Sequence, residues 1–276
     1  MISPAGSVDG RARMAFSGKS VIVTGAASGL GFAIASRFAD LGAAVLIADI
    51  DQAGVEQACD DLQKRSGDCT IVAIGCDVSN ADDVDRMTRR AVDEFGRLDV
   101  VVSNAGIGGL VPFMEVSLEH WNRVLAVNLT GVLLCGQAAA RAMIPQGGGR
   151  IVNIASVSGV RAGVGRTAYG TTKAGVVHLT KQMAVELGQY GISVNAVAPG
   201  PVDTPMALRC HTPETRDTYN STIPLHRYGT TEEIASAVTY LSTDEAAYVN
   251  GQTLCVDGGF VAAGIMARDV LGDVQT

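Results

Sequence analysis

The chain has 276 residues, 21 basic against 28 acidic side chains for a net charge of −7, with 47% hydrophobic and 18% charged residues. This is the profile of a soluble globular protein, long for one domain but within the range of a single α/β unit. A pI near 5.1 leaves no basic stripe to pair with phosphate backbones, which argues against nucleic acid as a partner.

Met1 to Met14 contain Pro, Gly, Ser and two Arg but no apolar h-region, so residues 1–15 read as a flexible extension and not as a secretory signal. From residue 16 onward, short apolar β-branched runs alternate with helix-like stretches. The expected strands are Ser20 to Thr24, Ala44 to Ala48, Thr70 to Gly75, Leu98 to Val102, Arg150 to Ala155, Ile192 to Ala198 and Gln252 to Val256. Connections of helical length imply right-handed crossovers and a doubly wound, seven-stranded parallel sheet with helices on both faces. Strands covered on both sides should be apolar throughout, as in VLIAD and LDVVVSN. Ligands of such sheets sit beyond the carboxyl ends of the strands.

The first strand leads into VTGAASGLGFAIA, a turn that opens a helix with Gly25, Ser28, Gly29, Leu30 and Gly31. Glycine allows the tight turn and lets the backbone approach a pyrophosphate, whose charge suits the free N–H groups at a helix start. The GxxxGxG spacing differs from GxGxxG and lacks the GK[ST] of a P-loop. Asp49 ends the second strand, 18 residues after Gly31. A carboxylate there accepts from adenosine ribose hydroxyls and repels a 2′-phosphate, which points to NAD rather than NADP. No cation stands among Ala26, Ala27, Ser28, Ile50 and Asp51. Capping of the next helix is the alternative role for Asp49.

Val132 to Ile144 is the longest apolar run, interrupted by Gln137 and Arg141, so no segment is expected to reach membrane-spanning length. This run and Ala174 to Leu187 are apolar around more than one face, which suggests buried contacts between subunits. Farther on lie Ser156 in GRIVNIASVSG, then Tyr169 and Lys173 in AYGTTKAG. Tyr and Lys at i and i+4 share a helix face. Ionising a phenol of ordinary pKa about 10 at pH 7 costs about 4 kcal/mol. A unit charge about 4 Å away at an effective dielectric of about 20 offsets roughly that much. Pro199 to Gly229, with five prolines, is one long irregular region, read as a substrate lid over about residues 200–228. The six cysteines are scattered without a CxxC pair, so reduced thiols and a cytoplasmic location are expected. The four histidines are too dispersed for a metal cluster, and no metal is expected.

The set TGAASGLG, Asp49, CDV (Cys76 to Val78), SNAG (Ser103 to Gly106), Asn128, Ser156, YxxxK and the Pro199–Gly200 pair resembles the single-domain short-chain dehydrogenase/reductase family. The likeness runs from Gly18 to about Phe260, and the separation of 13 residues between Ser156 and Tyr169 is that family's usual one. The strand-four motif reads SNAG where NNAG is common. The resemblance implies a Rossmann fold in one domain over 16–276 and hydride transfer between NAD(H) and a secondary alcohol or ketone, such as a polyol, sugar or cyclic alcohol. It implies Tyr169 as proton donor and acceptor, Ser156 on the substrate oxygen, Lys173 on the phenol and the nicotinamide ribose, and Asn128 in a proton relay. It assigns Asp77 and Val78 to adenine, Asn104, Ala105 and Gly106 to the adenosine side, and Pro199, Gly200, Val202 and Thr204 to the carboxamide end. It also implies a homotetramer. Two alternatives stay open: an NADPH-dependent 3-oxoacyl-thioester reductase, which Asp49 opposes, and a non-catalytic NAD-binding regulatory protein, which has no need of the Ser, Tyr and Lys.

Overall fold

The computed structural model describes residues 15–66, 69–264 and 266. Residues 1–14, the greater part of the expected extension, lie outside the described residues.

Seven parallel strands form one sheet in the order β3-β2-β1-β4-β5-β6-β7. They are β1 (Ser20–Thr24), β2 (Ala44–Asp49), β3 (Ile71–Gly75), β4 (Val100–Ser103), β5 (Gly149–Ile154), β6 (Ile192–Pro199) and β7 (Thr253–Val256). The expected doubly wound α/β sheet is the observed one, with strand ends shifted by no more than two residues. Every residue of β1, β4 and β6 is buried, as both-faced coverage requires. Val21, Val23, Val45 and Ile47 face Ile34 and Phe38 of α1 (Gly29–Asp40), Val55 and Leu62 of α2 (Gln52–Ser66), and Ile234 and Val238 of α9 (Thr231–Leu241). Ile22, Leu46 and Val101 face the other way, onto Val84 and Met87 of α3 (Ala81–Phe95) and Cys135, Ala139 and Met143 of α5 (Gly131–Met143). Each such side chain contributes about 1.5–3 kcal/mol when fully buried. Phe16 meets Phe38 edge to face at 5.0 Å, which ties the start of the described chain to this core.

The chain reverses its winding between β1 and β4, which are neighbours although two strands separate them in sequence. A crevice opens beyond their carboxyl ends, as the topology requires.

Two expectations need correction. First, the lid region is helical: α7 (Pro205–Cys210) and α8 (Pro213–Thr222) occupy it. Both start on the same device, a Thr-Pro pair whose threonine side chain caps the helix. Thr204 accepts from the Ala207 N–H and Thr212 from the Thr215 N–H, while each proline sits where no N–H is needed. Second, a continuous helical rod does reach membrane-spanning length: Leu118–Gln146 is 29 residues, with hydropathy 1.4 in its most apolar stretch. It joins α4 (Leu118–Leu125), a π-helical turn (Ala126–Thr130) and α5, so Gln137 and Arg141 do not end it. Half of that stretch is buried inside the fold, where α5 covers the sheet. Much of the apolar character of α5 and of α6 (Thr167–Leu187) is spent inward. Val132, Cys135, Ala138, Val176 and Met183 are buried within the chain, leaving Leu133 and Val185 exposed.

Candidate active site

The crevice is a cleft of about 600 Å³. At one end the turn after β1 opens α1. Gly25 has φ +65°, and an added Cβ would come within 2.7 Å of the Ala105 Cα. A Cβ on Gly31 would collide with the Gly25 carbonyl oxygen and the Asn104 amide. Glycine at both positions lets the turn pack tightly against Ala105 and Asn104 at the cleft wall, and α1 has neither an acidic residue in its first turn nor a side-chain cap. The free N–H groups at its start and the helix dipole suit a phosphate group.

Thr24 and Asn104 hold the turn. The Thr24 hydroxyl accepts from the backbone N–H groups of Asn104 and Ala105 at 3.0 and 3.1 Å, and the Asn104 amide donates to the carbonyls of Thr24 and Gly25 at 2.8 and 3.0 Å. Asn104 thus fastens the end of β4 to the turn through both N–H groups of its amide. Asp49 lies on the cleft wall, one carboxylate oxygen accepting from the Ala27 N–H at 3.1 Å and the other from the Asp51 N–H at 3.1 Å. The helix that follows is capped by Asp51, which accepts from the Gly54 N–H at 3.0 Å, so Asp49 is not its cap. Asp77 also faces the cleft, with its carboxylate engaged by the N–H and hydroxyl of Ser79.

At the other end, β5 and α6 bring Ser156, Tyr169 and Lys173 to one wall. Ser156 caps a short 3-10 turn by accepting from the Ser158 N–H at 3.1 Å, and its hydroxyl is on the same wall as the Tyr169 phenol, whose pKa it lowers. Lys173 is 3% exposed; its ammonium donates to the Ile154 carbonyl at 2.7 Å and stands 5.8 Å from the centre of the Tyr169 ring. Burial pulls the Lys173 pKa down to about 8. Asn128 is fully buried behind the cleft, in the π-helical turn. Its side-chain oxygen accepts from the Ile107 N–H at 2.8 Å and its amide donates to the Ile107 carbonyl at 2.8 Å and to the Thr172 hydroxyl at 3.3 Å. The widened turn sets the Asn128 side chain against this loop, and such turns recur at functional sites.

Burial raises the Tyr169 pKa above its ordinary value, opposed first by the Ser156 hydrogen bond and then by the Arg166 charge. The helical spacing pointed to Lys173 as the lowering charge; one of its ammonium protons goes to the Ile154 carbonyl. Arg166 is nearer the role, with its guanidinium 5.4 Å from the Tyr169 ring centre.

Gly25, Ser28, Gly29, Leu30, Gly31, Asp49, Asp77, Val78, Asn104, Ala105, Gly106, Pro199, Gly200, Val202 and Thr204 all line this cleft with Ser156, Tyr169 and Lys173. Ile107, Val157, Ser158 and Arg166 line it too. Arg161 does not: it lies 4.9 Å over the Phe260 ring. Cys210 and Tyr219 come from the expected lid, whereas Arg123, Ala126 and Val127 line the wall from a stretch that the sequence did not single out. Among the described residues no group of three His, Cys, Asp or Glu side chains could hold a metal ion.

The model of a family described as enoyl-(acyl carrier protein) reductase matches residues 25–261. The cis-4-hydroxycyclohexanecarboxylate dehydrogenase of Sinomonas cyclohexanicum is 41% identical over 251 residues, 90% of this chain and 98% of that protein. The chain belongs to the short-chain dehydrogenase/reductase family. A 3-oxoacyl-(acyl-carrier-protein) reductase of Thermotoga maritima is 39% identical over 249 residues, 90% of this chain and all of that one. The crystal structure of levodione reductase superimposes with a TM-score of 0.87 at 35% identity, covering 90% of this chain and 100% of the other. The protein is accordingly an oxidoreductase of the CH–OH group that moves a hydride between a nicotinamide cofactor and an alcohol or ketone.

Proposed function

We propose that the protein is an NAD-dependent dehydrogenase of a secondary alcohol, with Tyr169 as the group that exchanges the hydroxyl proton. The juxtaposition of Ser156, Tyr169 and Lys173 on one wall carries this reading. In oxidation the phenol oxygen takes the alcohol proton, and in reduction it returns it. Ser156 holds the substrate oxygen beside the phenol. The raised pKa of Tyr169 keeps the proton on it, which suits donation. Lys173 orients the ribose next to the nicotinamide, and Asn128 fixes the loop at Ile107 over the same pocket and serves a proton relay toward Lys173.

The donor set fits a dinucleotide. The glycine turn and the start of α1 would hold the pyrophosphate, and Asp77, Val78, Asn104, Ala105 and Gly106 the adenosine half. Pro199, Gly200, Val202 and Thr204 would hold the carboxamide end. The bound nicotinamide supplies the hydride acceptor or donor and, when oxidised, a positive ring. NAD over NADP is supported by Asp49, whose carboxylate faces the cleft with no cation beside it in the turn or after β2. The name of the Thermotoga maritima relative favours a second reading, an NADPH-dependent 3-oxoacyl-thioester reductase; the same carboxylate opposes it by repelling a 2′-phosphate.

For the substrate we favour a cyclic secondary alcohol over a polyol or sugar, since the Sinomonas relative is named for a hydroxylated ring acid. We further infer that α7 and α8 act as the lid, since Met206, His211 and Tyr219 line the cleft, that exposed Leu133 and Val185 belong to a two-fold contact of a homotetramer, and that the enzyme works in the cytoplasm, as its scattered cysteines without a CxxC pair suit a reducing compartment. No nucleic-acid or membrane partner is proposed. Following NADH absorbance across cyclic alcohols, polyols and sugars, with NADP in parallel, tests this. Turnover of a ring alcohol with NAD is expected, and activity confined to 3-oxoacyl thioesters with NADPH would favour the second reading.

A further inference from the structure

We propose that the substrate end of the cleft is a carboxylate-recognising subsite, in which Arg166, backed by His211, takes an acid group carried by the substrate alcohol. This rests on the alcohol-oxidoreductase reading above and adds the substrate class to it.

The chain carries a net charge of −7, yet its charge is reversed locally. The only acidic residues on the described cleft wall, Asp49 and Asp77, stand at the end opposite Tyr169. Around Tyr169 the wall holds Arg166, Arg209 and His211. Asp203 at the start of the lid is taken by Arg216 at 2.7 Å. Among the described residues neither Arg166 nor Arg209 has a carboxylate at ion-pair distance. A half-buried guanidinium without an acid is an uncompensated charge, and a ligand anion would compensate it.

The geometry of Arg166 is built rather than loose. One Nη donates to the His211 Nε2 at 3.1 Å. A guanidinium has no lone pair to offer, so Nε2 is the acceptor and His211 carries its proton on Nδ1, 2.9 Å from the Tyr228 hydroxyl. That tautomer leaves the imidazole neutral and lets it act as a strut. Tyr219 stacks on the imidazole at 5.1 Å, and Arg216 covers Tyr228 at 4.1 Å. The strut consumes one of five N–H donors, leaving a planar edge whose fork matches two carboxylate oxygens. Arg166 also occupies the N-cap of α6, where the helix dipole adds charge of the same sign. It precedes Tyr169 by one helical turn and lies 5.4 Å from that ring, so the acid carbon and the carbinol carbon are several bonds apart.

The test compares kcat/KM for a cyclohexanol bearing a carboxylate at C4 with that for the same ring bearing a carboxamide. The acid is expected to be preferred tenfold or more, and Arg166→Gln to remove that preference, chiefly through the KM of the acid. Arg166→Lys, which keeps the charge and loses the fork, is expected to retain part of it and serves if the glutamine variant does not fold. A purely structural Arg166 would lower both substrates together and leave the ratio alone. Turnover of neutral alcohols without any gain from the carboxylate overturns the subsite and leaves the oxidoreductase reading standing. If no alcohol is turned over with either cofactor, that reading fails separately. Calorimetric titration of cyclohexanecarboxylate into the wild type with NADH then decides the subsite: binding lost in Arg166→Gln supports it, and absence of binding to the wild type overturns it.

Discussion

The Lys173 ammonium donates to the Ile154 carbonyl at 2.7 Å, so the last residue of β5 holds the cation that α6 brings to the cleft. The contact satisfies one of three ammonium protons, and burial sets the remaining cost. With its pKa lowered from 10.5 to about 8, the folded protein holds this proton less tightly than the unfolded chain. Between pH 8 and 10.5 the unfolded state therefore binds more protons, and stability rises with pH in that window. Relative to Lys173→Met, the wild type is expected to gain up to about 3 kcal/mol across it. Denaturant midpoints of the two proteins at pH 7.5 and 10 check this; parallel behaviour would contradict the burial of a charged Lys173.

Asn128 closes two hydrogen bonds on the backbone of Ile107 and a third on Thr172. Asn128→Ala leaves the Ile107 N–H and carbonyl without those partners, at a cost of about 1–3 kcal/mol for each buried orphan group. The variant is expected to show a lowered melting temperature and a kcat reduced at least tenfold, with the loop carrying Ile107 loosened; amide hydrogen exchange at Ile107 checks the structural half.

Asp49→Ser removes the carboxylate that faces the adenosine end of the cleft. The ratio of kcat/KM for NAD to that for NADP is expected to fall at least tenfold, since the repulsion of a 2′-phosphate goes with it. An unchanged ratio would detach cofactor choice from this residue.

Asp99 sits at the amino-terminal end of the strands, opposite the cleft, with a carboxylate that accepts from the Ser20 N–H at 3.0 Å and from Arg97 at 2.6 Å. Burial raises its pKa, but the Arg97 hydrogen bond, the Ser20 N–H and the Lys19 charge outweigh it, and the net direction is downward. A depressed carboxyl pKa stabilises the fold above the ordinary carboxylate range, and that stability is lost as pH falls through the folded value. Asp99→Asn is expected to lower the melting temperature at pH 7 and to narrow the gap as the pH drops toward 3, with kcat unchanged.

Much of this was legible in the sequence, and the reason is physical. Strands buried on both faces must be apolar throughout, so VIV, VLIA and VVV marked the sheet without a homologue in hand. Gly25 and Gly31 announced the turn because no other residue fits against Ala105 and the Gly25 carbonyl. The lid helices were hidden by their prolines, read as breakers of structure, although Thr204–Pro205 and Thr212–Pro213 are helix starts. The phenol's electrostatics were not legible, because i,i+4 spacing places Lys173 on the right face without telling that one of its ammonium protons goes to the Ile154 carbonyl. The Arg166–His211–Tyr228 chain was equally out of reach, since its members are separated by 45 and 17 residues and meet only when the lid folds.

The most direct measurement is turnover and cofactor affinity in Tyr169→Phe, which deletes one oxygen and keeps the ring under Arg166. NADH binding, followed by fluorescence titration, is expected to stay within about threefold, while kcat falls by about a hundredfold or more, the scale of a lost general acid. A variant that binds NADH normally and turns over at close to the wild-type rate would contradict the assignment of Tyr169 as the group that moves the proton.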